Sequence, residues 1–332
     1  MNQRPGLLAR IWLMVTAALL LGACASSSIS RVATDHPATA YVAKDDGSLF
    51  ARHAPIIVPQ HQYRTYNQVG RPSALYDAHS GKEQIYVDPA APVFYTQQQT
   101  FQTSKGQYTN LIYRIHFTEV PFQFFPFHIT AGKHGGLFIV VTLNQAGQPL
   151  LVTTVHTCGC YLAIIPTRFL PAQDYPEAWD TTQRQAIYGE YLPAYLDYSD
   201  DPGATERPVI FVRDGTHRVM DVTINTAAAY NPVLTPLESA ATLKRLPLGV
   251  HGTTSFYVTH GLRKGYVKGS FKPFELALMS WWALDPFVGA DKELGDDTES
   301  GPVFYTSLAP WNREDSDMRD FANFLAFWGW RL

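Results

Sequence analysis

The stretch that decides the fold runs from residue 137 to 156: LFIVVTL (137–143), then Asn144-Gln145-Ala146-Gly147, then PLLVTTVH (149–156). The first run is almost wholly apolar and β-branched, as in a strand buried on both faces. Asn144 and Gly147 supply turn chemistry and the second run returns, so the pattern predicts an antiparallel hairpin. Working outward, residues 110–117 (NLIYRIHF) and 161–165 add strands on either side, the latter stopped by Pro166. Residues 208–212 and 219–224 flank Arg213-Asp214-Gly215-Thr216, and Asp-Gly is a hairpin signal.

Elsewhere the pattern is weaker. Residues 33–107 are polar and broken by Pro37, Pro55, Pro59, Pro72, Pro89 and Pro92, so they read as a wrapping segment with edge strands near 54–58 and 84–87. Residues 180–192 read as a helix ended by Pro193, and Asp200-Asp201-Pro202-Gly203 as an exposed turn. Thr235-Pro236-Leu237-Glu238 offers a cap, a first-turn proline and a capping-box glutamate, which predicts a helix to about Arg245. Residues 252–260 return to strand. Residues 273–284 (PFELALMSWWAL) predict a buried helix. Residues 317–330 predict an aromatic C-terminal helix docked on a sheet and capped by Asp315 or Ser316. Trp281, Trp282, Trp328 and Trp330 read as core residues. The expected class is α+β: an antiparallel β-rich core with a few helices. No low-complexity linker divides residues 33–332, so they read as a single domain.

At the N-terminus, Arg4 and Arg10 lead into the uncharged run IWLMVTAALLL (11–21), which has the length of a signal core and is short for a bilayer span. Leu21-Gly22-Ala23-Cys24 follows. This order resembles the lipobox of bacterial lipoproteins. The resemblance implies that residues 1–23 form a signal peptide, that Cys24 is acylated, and that residues 24–32, rich in serine, form a flexible tether. Ala25, where an aspartate would mark inner-membrane retention, implies by analogy an outer-membrane anchor with the body facing the periplasm. The expected partners are the membrane, through Cys24, and an envelope protein. Loss of Arg4 and Arg10 takes the formal charge from −3 to −5. That balance argues against nonspecific nucleic-acid binding, which needs clustered Lys and Arg.

Beyond Cys24 the cysteines are Cys158 and Cys160, in His156-Thr157-Cys158-Gly159-Cys160. On an extended strand, positions 156, 158 and 160 share one face. An imidazole and two thiolates suit zinc or copper(I). His128 or His134 is the expected further ligand, with His116 also in range if the strands share a sheet. An oxidising compartment equally allows a tight Cys158–Cys160 disulfide eased by Gly159, either as a staple or as an exchange site. The leading expectation is a non-catalytic, lipid-anchored protein that binds a metal or a partner. The alternatives are a metal-dependent or thiol–disulfide enzyme on the same cluster, and a structural protein stapled by the disulfide. The acids of residues 289–299 read as a solvated loop, and Arg263, Lys264 and Lys268 as a solvated basic hairpin. The familiar nucleophile-elbow, phosphate-loop, dinucleotide and zinc-protease motifs are absent from the sequence.

Overall fold

The computed structural model describes residues 38–199 and 205–332. The signal segment, Cys24, the serine tether and the expected turn at residues 200–203 lie outside the described residues. In chain order the first half forms β1 (Thr39–Ala43), α1 (Leu49–His53), β2 (Ile56–Pro59), β3 (Arg71–Asp77), β4 (Lys82–Asp88), β5 (Phe94–Thr103), β6 (Gly106–His116), β7 (Glu119–Val120), β8 (Gly132–Lys133), β9 (Gly136–Leu143), β10 (Pro149–His156) and β11 (Ala163–Pro166). The second half forms β12 (Gln185–Ile187), β13 (Glu190–Leu192), β14 (Glu206–Val212), β15 (Val219–Thr226), β16 (Asn231–Thr235), β17 (Leu237–Ser239), β18 (Leu246–Pro247), β19 (Thr253–Thr254), α2 (Pro273–Ala283) and α3 (Phe321–Phe327). The class is α+β and mostly β.

Two sheets dominate. One has the order β11-β10-β9-β6-β5-β17, the other β15-β14-β2-β1-β16. The hairpin β9–β10 sits inside the larger sheet, and every residue of both strands is buried. Two separate cores explain this. On one face Leu111, Tyr113, Ile139 and Val152 pack against Tyr41, Ile57 and Ile210 of the smaller sheet. On the other face Ile112, Phe138, Val140 and Val155 meet Phe304, Met318, Phe321 and Phe324 of the C-terminal segment. Each fully buried side chain of this size contributes roughly 1.5–3 kcal/mol, so an uninterrupted apolar run is favoured only where both faces are covered.

Several expectations are corrected. Three strand pairs are parallel, β1–β16, β2–β14 and β5–β17, so the core is not wholly antiparallel. The segment 33–107 does more than wrap: β2 and β1 lie inside the smaller sheet and β5 spans ten residues of the larger one. Residues 180–192 end in the hairpin β12–β13 rather than a helix, turned by Tyr188 and Gly189 at φ 49° and 86°. Leu237–Ser239 adds to β5 as a parallel strand, and only a short 3-10 turn, Ala240–Lys244, follows it. Within 252–260 only Thr253–Thr254 is strand. The C-terminal helix starts at Phe321, where the Asp320 side chain accepts from the Asn323 N–H.

α2 is the largest surprise. It turns Glu275 and Ala283 inward, while Trp281 and Trp282 are 71% and 51% exposed. Phe274 stacks on Phe122 and meets Phe127 edge-on, at 5.3 and 5.2 Å between ring centres. Of the four tryptophans expected in the core, Trp330 is buried. Among the described residues no helix is long and apolar enough to cross a membrane.

Candidate functional site

β10 stops at His156 and the chain folds back at once. The Gly159 N–H donates to the His156 carbonyl at 2.8 Å, and the His156 N–H to the Cys160 carbonyl at 2.9 Å. Positions 156, 158 and 160 therefore do not lie on one extended strand face, which corrects the sequence expectation. A tight loop gathers the two cysteines instead. Gly159 sits at φ 95°, and a Cβ there would fall 2.2 Å from the Tyr305 carbonyl oxygen. No other residue type fits that backbone without displacement.

The third member comes from the first turn of α2. One oxygen of Glu275 and the two sulfurs of Cys158 and Cys160 lie within 4.8 Å of one another. The Cys160 thiol donates to Glu275 Oε1 at 3.4 Å. Glu275 Oε2 is buried without a hydrogen-bond partner. Gly289 makes room for that carboxylate, since a Cβ there would meet Oε2 at 2.4 Å and its φ is 79°. Gly289→Ala is accordingly expected to displace Glu275 and to cost about 1–3 kcal/mol. Urea unfolding checks this, and an unchanged midpoint would contradict the account.

Around the cluster lie charges that the sequence does not group. Lys272, just before α2, is buried, with Nζ 3.4 Å from Asp291 Oδ1. Asp291 also accepts from the Ser270 hydroxyl at 2.8 Å and from Thr157 Oγ1. Burial works against the Lys272 charge, but Asp291, Cys158 and Glu275 outweigh it and hold the ammonium above its ordinary range. Burial raises the Glu275 carboxyl. Contact with Cys160 holds the Cys158 thiol below its usual range, and the same contact with burial pushes Cys160 well above it. Lys292 is wholly buried with Nζ 3.5 Å from the Tyr305 ring centre, and burial lowers its pKa to about 8.

Two sulfurs and a carboxylate oxygen form a donor set for a borderline cation. Zinc bonds of about 2.3 Å to sulfur and 2.0 Å to oxygen, at a tetrahedral angle, place such donors roughly 3.5 Å apart. The 3.4 Å between Cys160 Sγ and Glu275 Oε1 is close to that edge, and the unpartnered Oε2 adds a second available oxygen.

No family model, curated protein or solved structure matches this chain. The functional reading rests on the site chemistry.

Cys158 and Cys160 are brought together as free thiols. Among the described residues none of the expected histidines joins the Cys158, Cys160 and Glu275 group. His156 Nε2 lies 3.0 Å from the His217 carbonyl, and His128 Nδ1 3.0 Å from the Pro121 carbonyl. His134 is buried edge-on to Phe256, and burial lowers its pKa to about 4. His116 accepts from Arg114 Nε at 2.9 Å. Asp291 belongs to the interior rather than to a solvated acidic loop. Glu275 is the lone charged residue in the apolar stretch 273–284, and a charge set in an apolar helix calls for a buried partner, which is the sequence signal for its place in the cluster. The Lys272–Asp291 pair spans 19 positions and leaves no local pattern.

Proposed function

We propose that this chain is a lipid-anchored envelope protein that holds zinc on Cys158, Cys160 and Glu275. The observation that carries the metal reading is the three donor atoms within 4.8 Å, with Glu275 Oε2 buried beside them without a hydrogen-bond partner. The carboxylate favours zinc over copper(I), which prefers sulfur alone. Anchoring rests on the sequence: acylated Cys24, an outer-membrane address and a body facing the periplasm. An acyl chain on Cys24 is checked by alkynyl-palmitate labelling, with release of the Cys24→Ser chain from membranes as the expected result.

The metal is tested on the chain expressed from Ala25 and purified without chelator. Elemental mass spectrometry is expected to give about one zinc per chain, as structural sites do. Cys158→Ser and Cys160→Ser should lose it, and Glu275→Gln should weaken binding by about 10–100-fold. Two reactive thiols with no metal, or a Cys158–Cys160 disulfide, would overturn the reading. A thiol-exchange role is less favoured because Cys158, the thiol with the lowered pKa, is only 2% exposed, and exchange needs an accessible thiolate. A metal enzyme is the second reading. It is favoured by the donor count, since three protein ligands leave one position open for water or substrate.

A further inference from the structure

β17 covers the edge of β5 only over Phe94–Thr96. The chain then leaves at Ser239 into the Ala240–Lys244 turn, and a cavity of about 350 Å³ opens beside the uncovered edge. That size lies at the low end of small-molecule sites. Arg114 and Gln97 both line it. The register pairs Tyr95 with Arg114 and Gln97 with Ile112, so Gln97 and Arg114 share one face as diagonal neighbours.

Arg114 is a buried cation with neutral partners. It is 2% exposed. Nε donates to His116, and Nη1 to the Tyr257 hydroxyl and the Lys292 carbonyl, each at 2.9 Å. Phe138 and Tyr257 stack against it, with ring centres at 4.9 and 5.3 Å. Its Nη2 has no acceptor among the described residues, and neither does Gln97 Nε2. Arg114 and Gln97 thus both line the cavity, and each carries an orphaned donor, one of them charged. Burying such groups without a partner is costly, and a bound carboxylate removes that cost with a charge-assisted bond. Charge along the cavity is graded. Lys244 pairs with Glu293 at 2.7 Å and also feels Asp296, so the buried Arg114 is the inner charge and the exposed Asp296 lies at the outer end.

We propose that this cavity binds a zwitterion of dipeptide size, its carboxylate on Arg114 and Gln97 and its ammonium beside Asp296. The site is distinct from the metal cluster and does not depend on it.

Calorimetric titration of the chain from Ala25 tests this with L-Ala-L-Ala and D-Ala-D-Ala, their C-terminal amides, their N-acetyl forms, and phosphoethanolamine. At least one dipeptide should bind, with its amide at least about tenfold weaker, because the amide lacks the charge that Arg114 pairs. Gln97→Leu should weaken the dipeptide by about three- to tenfold. Asp296→Asn should weaken the dipeptide but not the N-acetyl form. Arg114→Gln should abolish binding. Should that variant fail to fold, Gln97→Leu and Asp296→Asn still decide, because Gln97 is only partly buried and Asp296 is exposed. No heat from any dipeptide up to about 10 mM, equal affinity for dipeptide and amide, or tighter binding of phosphoethanolamine would each overturn the proposal.

Discussion

Lowering the pH from 7 to about 4.5 is expected to unfold this protein, because buried histidines, His116, His134 and His217 among them, must stay neutral in the folded state. His116, His134 and His217 are at most 3% exposed. His217 lies flat on Phe117, with ring centres 3.9 Å apart. His116 meets Phe256 edge-on with the Arg114 guanidinium beside it. Burial lowers the pKa of His217 to about 3 and of His134 to about 4, and holds His116 well below its ordinary value. In the unfolded chain each titrates near 6.5. Between that value and the folded one the unfolded state binds more protons, so stability falls as pH drops through the window and is unaffected above it. Each group costs about 1.4 kcal/mol per pH unit, so two units below 6.5 the three together cost roughly 8 kcal/mol. A domain has only about 5–15 kcal/mol in total. Glu275, raised by burial, acts in the opposite sense, but it is one group against several. Urea midpoints followed by circular dichroism from pH 7 to 4.5 check this. His217→Phe, which keeps a ring on Phe117, should flatten the pH slope by about one fifth, because His156 and His53, lowered by burial to about 3 and 4, titrate in the same window. A midpoint constant across the range would show that these rings accept protons in the folded state.

What was legible in the sequence depended on whether local pattern and tertiary placement agreed. Residues 137–156 declared themselves because burial on both faces demands apolar side chains at every position, and the Asn144–Gly147 turn closes locally. Thr235–Glu238 carries every local mark of a helix start, yet Leu237–Ser239 pairs with the edge of β5 instead. An unpaired strand edge a long way off in sequence outweighed a cap of about 1 kcal/mol. Pro273–Ala283 is a helix, as the pattern of 273–284 predicts, but much of its apolar surface is exposed. Composition alone does not say which residues of a helix are covered: here the carboxylate of Glu275 goes in to the thiols, and Trp281 and Trp282 stay exposed. The cysteines were legible as a pair because they are two residues apart. Their surroundings were not, because Lys272, Glu275 and Asp291 are gathered from a turn, a helix and a loop by contacts that leave no spacing rule behind.

Lys272→Met is expected to destabilise the fold by about 3–5 kcal/mol, the usual consequence of leaving one member of a buried ion pair alone. Side chains of the pair are 2% and 1% exposed, so solvent screens neither charge. Met fills the aliphatic volume of lysine, so the loss reports the stranded Asp291 carboxylate rather than a cavity. Asp291 would keep the Thr157 and Ser270 hydroxyls, which hydrogen-bond a carboxylate but do not neutralise it. The pair also sets the geometry of the site. Thr157 precedes Cys158, Lys272 precedes α2, and Asp291 touches both, so it ties the thiol loop to the helix that carries Glu275. Lys272→Met should therefore reduce bound zinc as well as stability, whereas Lys272→Met with Asp291→Asn should restore much of the stability by removing the stranded charge. Urea unfolding of both single variants and the double variant gives the coupling energy directly. A loss below about 1 kcal/mol in Lys272→Met, the range of an exposed pair, would mean that water reaches Asp291 and that the thiol loop is held by its backbone bonds alone.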